Sequence, residues 1–430
     1  MLALSACARP AVQAASPAPR PAPPPPPPPP SLPTSGDPAF DAWRQSFLGR
    51  ALQRGISEPV LVREFTGLTP DPRVVTSDRG QPELLRSPGA YMAGAVTDSR
   101  VATGREKRAS LTFLPALEAR FGVSRDILLG LWAMETAFGT FMGDRDVIRS
   151  LATLAFDGRR RDWAEGELIA ALRMLQTEAA TRAQLTGSWA GAMGHTQFEP
   201  STYLADAVDG DGDGRRDIWT TPADALASAA NLLARANWIR DGGWAREVIL
   251  PAGFDFALTD AGREPWAVWA GRGVTLAGSA ALSAIDASAP ASILVPAGAR
   301  GPAFLALPNH YVIRRYNNSV LYALAVGLLA DRFAGGNGLV TPWPDDPPMT
   351  LADRLAAQTA LRAQGFDPGE PDGRIGTRTR QALRAWQRAR GLPQDGYLSV
   401  DMVARLRAEP PPATAAPAPA PGSPPAPTAP

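Results

Sequence analysis

One cysteine and two histidines, His195 and His310, stand in a chain of 430 residues. A lone cysteine excludes a disulfide framework and a cysteine-rich zinc site. Two histidines exclude a His-Glu-x-x-His motif and argue against a multi-histidine metal centre. An excess of charge of either sign is also lacking: 43 Lys and Arg face 42 Asp and Glu, a formal charge of +1. No global field favours a phosphate polymer, so nucleic acid is not an expected partner. The apolar runs fall far short of the ~20 residues that span a bilayer. Chemistry in this chain must therefore rest on carboxylates, hydroxyls, amides or arginine. A hydrophobic fraction of 45% with 20% charged residues suits a globular protein with a sizeable core. The length suggests two or three domains.

Composition divides the chain. Leu4-Ser5-Ala6-Cys7 resembles a bacterial lipobox, in which the cysteine becomes the lipidated first residue, although a basic segment and most of an apolar segment are missing before it. Lipidation at Cys7 is the expectation; the alternative is an irrelevant unstructured end. Proline is unbroken from Pro23 to Pro30, which reads as a polyproline II spacer. The segment Gly335–Pro348 breaks regular structure, and the end of the chain is Pro/Ala-rich. The expected layout is a signal remnant and Pro-rich linker (1–35), a large domain (36–333), a linker (334–349), a small domain (350–408) and a disordered tail (409–430).

The small domain contains a repeat. Asp372-Gly-Arg-Ile-Gly…Leu383 and Asp395-Gly-Tyr-Leu-Ser…Leu406 align with a period of 23 residues. Each reads as a turn followed by a helix, after a first helix from Leu351 to Gln364 that ends at Gly365. A structural cap is one reading. The run Gly365-Phe-Asp-Pro-Gly-Glu-Pro-Asp-Gly-Arg-Ile-Gly376, with Thr377, Thr379, Ala382-Leu383 and Trp386-Gln387, resembles the peptidoglycan-binding domain type 1, a three-helix unit.

The large domain carries an isolated glutamate. Ser124 is a candidate N-cap, and Ile127 to Met134 is apolar on every side, as in a helix buried all round. Glu135 interrupts it. A charge there needs a partner, such as one of Arg159, Arg160 or Arg161, or else desolvation makes it a proton donor at neutral pH. Chemistry alone leaves both open. Downstream, Thr186 to Tyr203 mixes glycines with Ser188 and Gln197, as a loop lining a substrate would or as a plain connection.

Longer motifs narrow the choice. Glu135-Thr-Ala-Phe-Gly139, Gly187-Ser-Trp-Ala-Gly-Ala-Met-Gly194 and Gln197-Phe-Glu-Pro-Ser201 resemble the membrane-bound lytic murein transglycosylase B family. So do Thr69-Pro-Asp-Pro-Arg-Val-Val75, Asp78-Arg-Gly-Gln-Pro82, Arg315-Tyr-Asn317 and Tyr322-Ala323. The resemblance spans residues 38–333. It implies a mainly α (α+β) chain with a lysozyme-like catalytic domain and Glu135 as sole acid and base. It further implies that Ser188, Gln197, Tyr316 and Asn317 line the cleft, with Met193, Arg159 and Arg160 in cleft-forming segments. His195 stands where some members carry Tyr and is assigned no catalytic part. Family members cleave the β-1,4 bond between N-acetylmuramic acid and N-acetylglucosamine without water, giving 1,6-anhydromuramyl products. A hydrolytic muramidase and a silent wall-binding scaffold are the alternatives. Glycan strands are the implied partner, with a membrane met only through a lipid anchor, in the periplasm and at the outer membrane.

Asp209-Gly-Asp-Gly-Asp-Gly-Arg-Arg-Asp-Ile-Trp219 resembles an EF-hand loop. Asp209, Asp211 and Asp213 occupy positions 1, 3 and 5, and Gly214 position 6. Position 12 is Thr220 rather than Glu. The family's loop is longer and closes with an Asp, so Asp224 is taken as the late ligand, with the Arg215 carbonyl between and Asp217 acting through water. Ca²⁺ here is expected to be structural, and no cofactor is expected for the chemistry. The competing reading is a solvated acidic turn.

Overall fold

The computed structural model describes residues 28–80, 86–278 and 281–409. Cys7, the Pro-rich stretch up to residue 27 and the tail from residue 410 lie outside the described residues. Eighteen α-helices and six short strands are found among those described, so the class is mainly α, as expected.

The Glu135 helix runs Arg125–Thr136. The Ser124 hydroxyl accepts from Asp126 N at 3.2 Å and starts it. Eight of its 12 residues are buried, so no polar face is left for solvent. It packs along the helix Val320–Phe333, which is nearly as apolar. Gly130 sets the distance between them, since a Cβ there would come within 2.6 Å of the Val326 carbonyl oxygen. The helix then stops sharply. Ala137, Phe138 and Gly139 take φ of 48°, 61° and 84° in succession. Two non-glycine residues in this region cost roughly 1–2 kcal/mol each. Thr136 helps to hold the turn, its hydroxyl accepting from Gly139 N at 2.9 Å and its carbonyl from Phe141 N at 3.2 Å.

Two apolar cores fill most of the large domain. One is built on the helices Val147–Asp157 and Arg161–Gln176, against the N-terminal helices. The other surrounds the Glu135 helix and Val320–Phe333. Tyr316, the last residue of the helix Pro308–Tyr316, packs against both. A four-stranded antiparallel sheet, in the order Thr275–Leu276, Ala245–Ile249, Ala303–Ala306, Ser292–Leu294, has a core of its own around Trp269 and Leu305.

Beyond the Glu135 turn, Arg145–Asp146 pairs antiparallel with Thr186–Gly187. The approach is possible because Gly143 has no side chain: a Cβ there would overlap the Gly187 carbonyl. Asp146 caps the next helix, accepting from Arg149 N at 2.9 Å, and pairs with Arg182.

The small domain packs the helices Leu351–Ala363, Thr377–Arg388 and Val400–Ala408 around Leu361, Leu383, Trp386 and Leu406. The repeat has a physical basis. In each copy an aspartate closes a turn onto the backbone two residues on, Asp372 onto Arg374 N (2.8 Å) and Asp395 onto Tyr397 N (3.0 Å). In each the next glycine N–H donates to a buried glutamine, Gly373 to Gln358 (2.8 Å) and Gly396 to Gln387 (2.9 Å). This domain docks on the large one. Arg384 pairs with Asp260 at 2.5 Å, and Asp395 accepts from Ala299 N at 2.8 Å. The connecting strap is pinned as well, Val340 N and Thr341 N each donating to the Glu247 carboxylate at 2.7 Å.

Candidate active site

Glu135 sits half-buried in the last turn of its helix, where the two cores meet. The Tyr322 hydroxyl donates to its Oε1. Burial and the neighbouring Glu135 charge push the Tyr322 phenol well above its ordinary value, so it remains a donor. Tyr316 is displaced in the same direction by the same two causes, and its hydroxyl donates to the Thr196 carbonyl. The arginines that could have neutralised Glu135 go elsewhere. Arg159 pairs with the buried Asp78 at 2.5 Å, Arg160 reaches the same carboxylate at 3.6 Å, and Arg161 donates to the Ala155 carbonyl at 3.2 Å.

The Gly187–Phe198 segment folds back on itself beside this glutamate. The Ser188 hydroxyl accepts from Ala190 N (3.3 Å) and Ala192 N (3.1 Å). Met193 exchanges backbone hydrogen bonds of 2.9 Å with Phe198. Gln197 takes φ of 50°, and its amide nitrogen donates to the carbonyls of Met142 (3.0 Å) and Gly194 (3.1 Å). The segment is thereby tied to the loop that leaves the Glu135 helix. Asn317 follows Tyr316 and is exposed. One expectation needs correction. The Met193 side chain is 0% exposed and belongs to the core, so it shapes the loop from beneath and presents no surface to a ligand. Arg159 and Arg160 pair with Asp78 beside the start of the helix Arg161–Gln176, the Arg159 side chain staying 51% exposed, and the Arg160 guanidinium also lies 3.7 Å from the Trp163 ring centroid.

The acidic loop closes as the aspartate spacing implies. Single oxygens of Asp209, Asp211, Asp213 and Asp224 lie within 4.8 Å of one another. Asp224 is 1% exposed and accepts from Gly210 N (2.7 Å) and Asp217 N (2.6 Å). Burial pushes its carboxyl up, whereas backbone N–H groups of Gly214 and Gly212 hold Asp209 down. An all-oxygen set with this crowding fits a hard cation. Asp217 instead spends its carboxylate on Trp219 N and Thr220 N, both at 2.9 Å.

The model of the transglycosylase SLT domain matches residues 39–331. The chain belongs to that family. A putative peptidoglycan binding domain matches residues 350–406. Membrane-bound lytic murein transglycosylase B of Escherichia coli (strain K12) is 34% identical over 216 residues, which cover 50% of this chain and 58% of that protein. The crystal structure of SltB3 from Pseudomonas aeruginosa in complex with NAG-anhNAM-pentapeptide is 46% identical, with a TM-score of 0.81. It covers 86% of this chain and 100% of that one. The Escherichia coli lytic transglycosylase Slt35 in complex with calcium is 28% identical, covers 70% of this chain and 93% of that one, and has a TM-score of 0.58.

Within this SLT-family chain, sequence reasoning passed over Tyr322 as a site residue. One signal could have found it. Tyr322 is the polar exception near the start of an aliphatic helix, as Glu135 is near the end of the helix it packs against.

Proposed function

We propose that the chain is a lytic transglycosylase of peptidoglycan, cleaving the β-1,4 bond between N-acetylmuramic acid and N-acetylglucosamine to leave 1,6-anhydromuramyl ends, in cell-wall turnover. The observation that carries this reading is the pairing of Glu135 with Tyr322 at the tip of a buried helix. Glu135 gives its proton to the glycosidic oxygen as the C1–O bond breaks, and the bonding pair leaves with that oxygen. The substrate's own acetamido oxygen supports the positive charge at C1. Glu135 then takes the proton of the C6 hydroxyl, whose oxygen closes onto C1. No water is consumed and the carboxyl ends as it began. An internal nucleophile has a high effective concentration, so one carboxylate suffices where ordinary glycosidases use two. Tyr322 holds one oxygen of Glu135. Ser188, Gln197, Tyr316 and Asn317 orient the sugar and its acetamido group.

Asp209, Asp211, Asp213 and Asp224, with the Arg215 carbonyl, would hold Ca²⁺, which would supply cross-linking of the loop and no step of the reaction. Residues 350–408 carry the chain to the wall. Cys7 tethers it to the outer membrane on the periplasmic side, the Pro-rich stretch providing reach. No described helix is long and apolar enough to cross a membrane. Glu135→Gln keeps the shape and removes the titrating proton. Activity on purified sacculi should fall at least ~10²–10⁴-fold. Wild-type products should carry 1,6-anhydromuramic acid and no ¹⁸O from labelled water. Full activity in Glu135→Gln removes the assignment, and ¹⁸O at reducing ends makes the chain a hydrolase.

A further inference from the structure

His195 is buried and was given no part in the chemistry. It nevertheless touches both sides of Glu135. Trp132, three residues before Glu135, donates its indole N–H to His195 Nδ1 at 3.2 Å. Thr136, the residue after Glu135, donates its hydroxyl to the His195 carbonyl at 2.7 Å. The His195 backbone N–H in turn donates to the Ile218 carbonyl at 2.9 Å, which anchors it to the acidic loop. The ring stands edge-on to Trp132, at 86° with centroids 5.4 Å apart. It also fills the space above Gly139, where a Cβ would collide with its Cε1 and Nδ1.

These contacts have a common effect. Three left-handed residues follow the last turn of the Glu135 helix, so the regular ladder stops at Thr136, one residue after Glu135. His195 adds a constraint on that turn from outside the helix. Two of its bonds use main-chain atoms and would survive substitution. The third uses Nδ1 and is particular to the ring. An acceptor at Nδ1 requires the proton on Nε2, and burial keeps the ring neutral by pushing its pKa down.

We propose that His195 is a positioning residue for the reaction: by accepting from Trp132 and gripping Thr136 it fixes the last helical turn, and with it the carboxyl of Glu135. The inference rests on the reading of Glu135 as acid and base. A misplacement of a fraction of an ångström lowers the rate without weakening substrate binding.

The test is steady-state kinetics on a soluble glycan substrate. His195→Phe keeps a ring and removes the acceptor. We expect kcat to fall about tenfold with KM changed less than twofold. His195→Asn restores an acceptor near Nδ1 and should recover kcat to within about threefold of wild type, despite its smaller volume. Trp132→Phe removes the donor. Combined with His195→Phe it should cost no more than the larger single loss, because both act through one bond. Should the Phe ring fail to seat over Gly139, Trp132→Phe and His195→Asn carry the test. Unchanged kcat in His195→Phe or in Trp132→Phe, losses that multiply in the double variant, or an Asn variant no better than Phe would each overturn the proposal. Glu135→Gln serves as the separate control. If it stays active, the acid–base reading fails; if it is dead while His195→Phe is at full rate, only the role of His195 fails.

Discussion

At the scale of single residues, the buried Tyr322 and the second histidine make distinct predictions. Tyr322 donates to Glu135 and is held protonated by burial and by that charge. Tyr322→Phe removes one hydroxyl and no packing. The carboxyl then loses its orienting donor, and kcat should fall about tenfold with KM little changed. An unchanged kcat would mean that the hydroxyl is idle. His310 concerns stability. It is fully buried, neither ring nitrogen has a hydrogen-bond partner among the described residues, and burial with the nearby Arg314 and Arg263 pushes its pKa to about 3. The unfolded chain takes up a proton near 6.5, while the folded chain refuses it until about 3. The unfolded state therefore binds more protons across that window, and stability falls as pH falls through it. Near pH 5 this amounts to about 2 kcal/mol relative to neutral pH. Urea titrations at both pH values should show that loss in the wild type and a smaller one in His310→Phe.

At the scale of elements, the loops carry what the helices cannot. The Gly187–Phe198 segment, the turn after the Glu135 helix and the acidic loop are joined by hydrogen bonds to main-chain carbonyls. Gln197 reaches Met142, and His195 reaches Ile218. Ca²⁺ bound only by the folded state should raise the melting temperature according to RT ln(1 + [L]/Kd), about 2.7 kcal/mol at a hundredfold excess over Kd. Asp224 closes the cluster from the start of the helix Pro222–Arg235 and is the buried member. Asp224→Asn should abolish the rise while leaving a folded apo protein. A melting temperature indifferent to both chelator and excess Ca²⁺ in the wild type would return the loop to a solvated acidic turn.

At the scale of the whole molecule, the small domain is more than a tethered module. Arg384 and Asp395 meet the large domain directly, and Glu247 fastens the strap between the domains. Removal of residues 350–430 should weaken sedimentation with insoluble sacculi severalfold, because wall affinity no longer adds to local concentration. Turnover of soluble fragments should be nearly unchanged, since Tyr322, which donates to Glu135, belongs to the large domain. Equal sedimentation of both forms would remove the wall-binding role.

Much of this was legible in the chain of residues. The buried helix, its cap at Ser124, the aspartate spacing of the acidic loop and the 23-residue repeat are local patterns, set by periodicity and turn chemistry within a few residues. Glu135 stood out because a charge in an apolar helix has few explanations. Other features depend on residues far apart in sequence. Tyr322 meets Glu135 across 187 positions, and Asp78 claims Arg159 across 81. Met193 sits in a loop motif, yet its side chain points into the core, and Asp146 lies in a strand pair made possible by the missing side chain of Gly143, which lies against the distant Gly187. By itself the sequence determined which helices form and which carboxylate is anomalous, because propensity and burial pattern are short-range. Only the tertiary structure decided which groups face that carboxylate. Those contacts join residues far apart in sequence that packing brings together, and no local pattern records which residue will stand opposite.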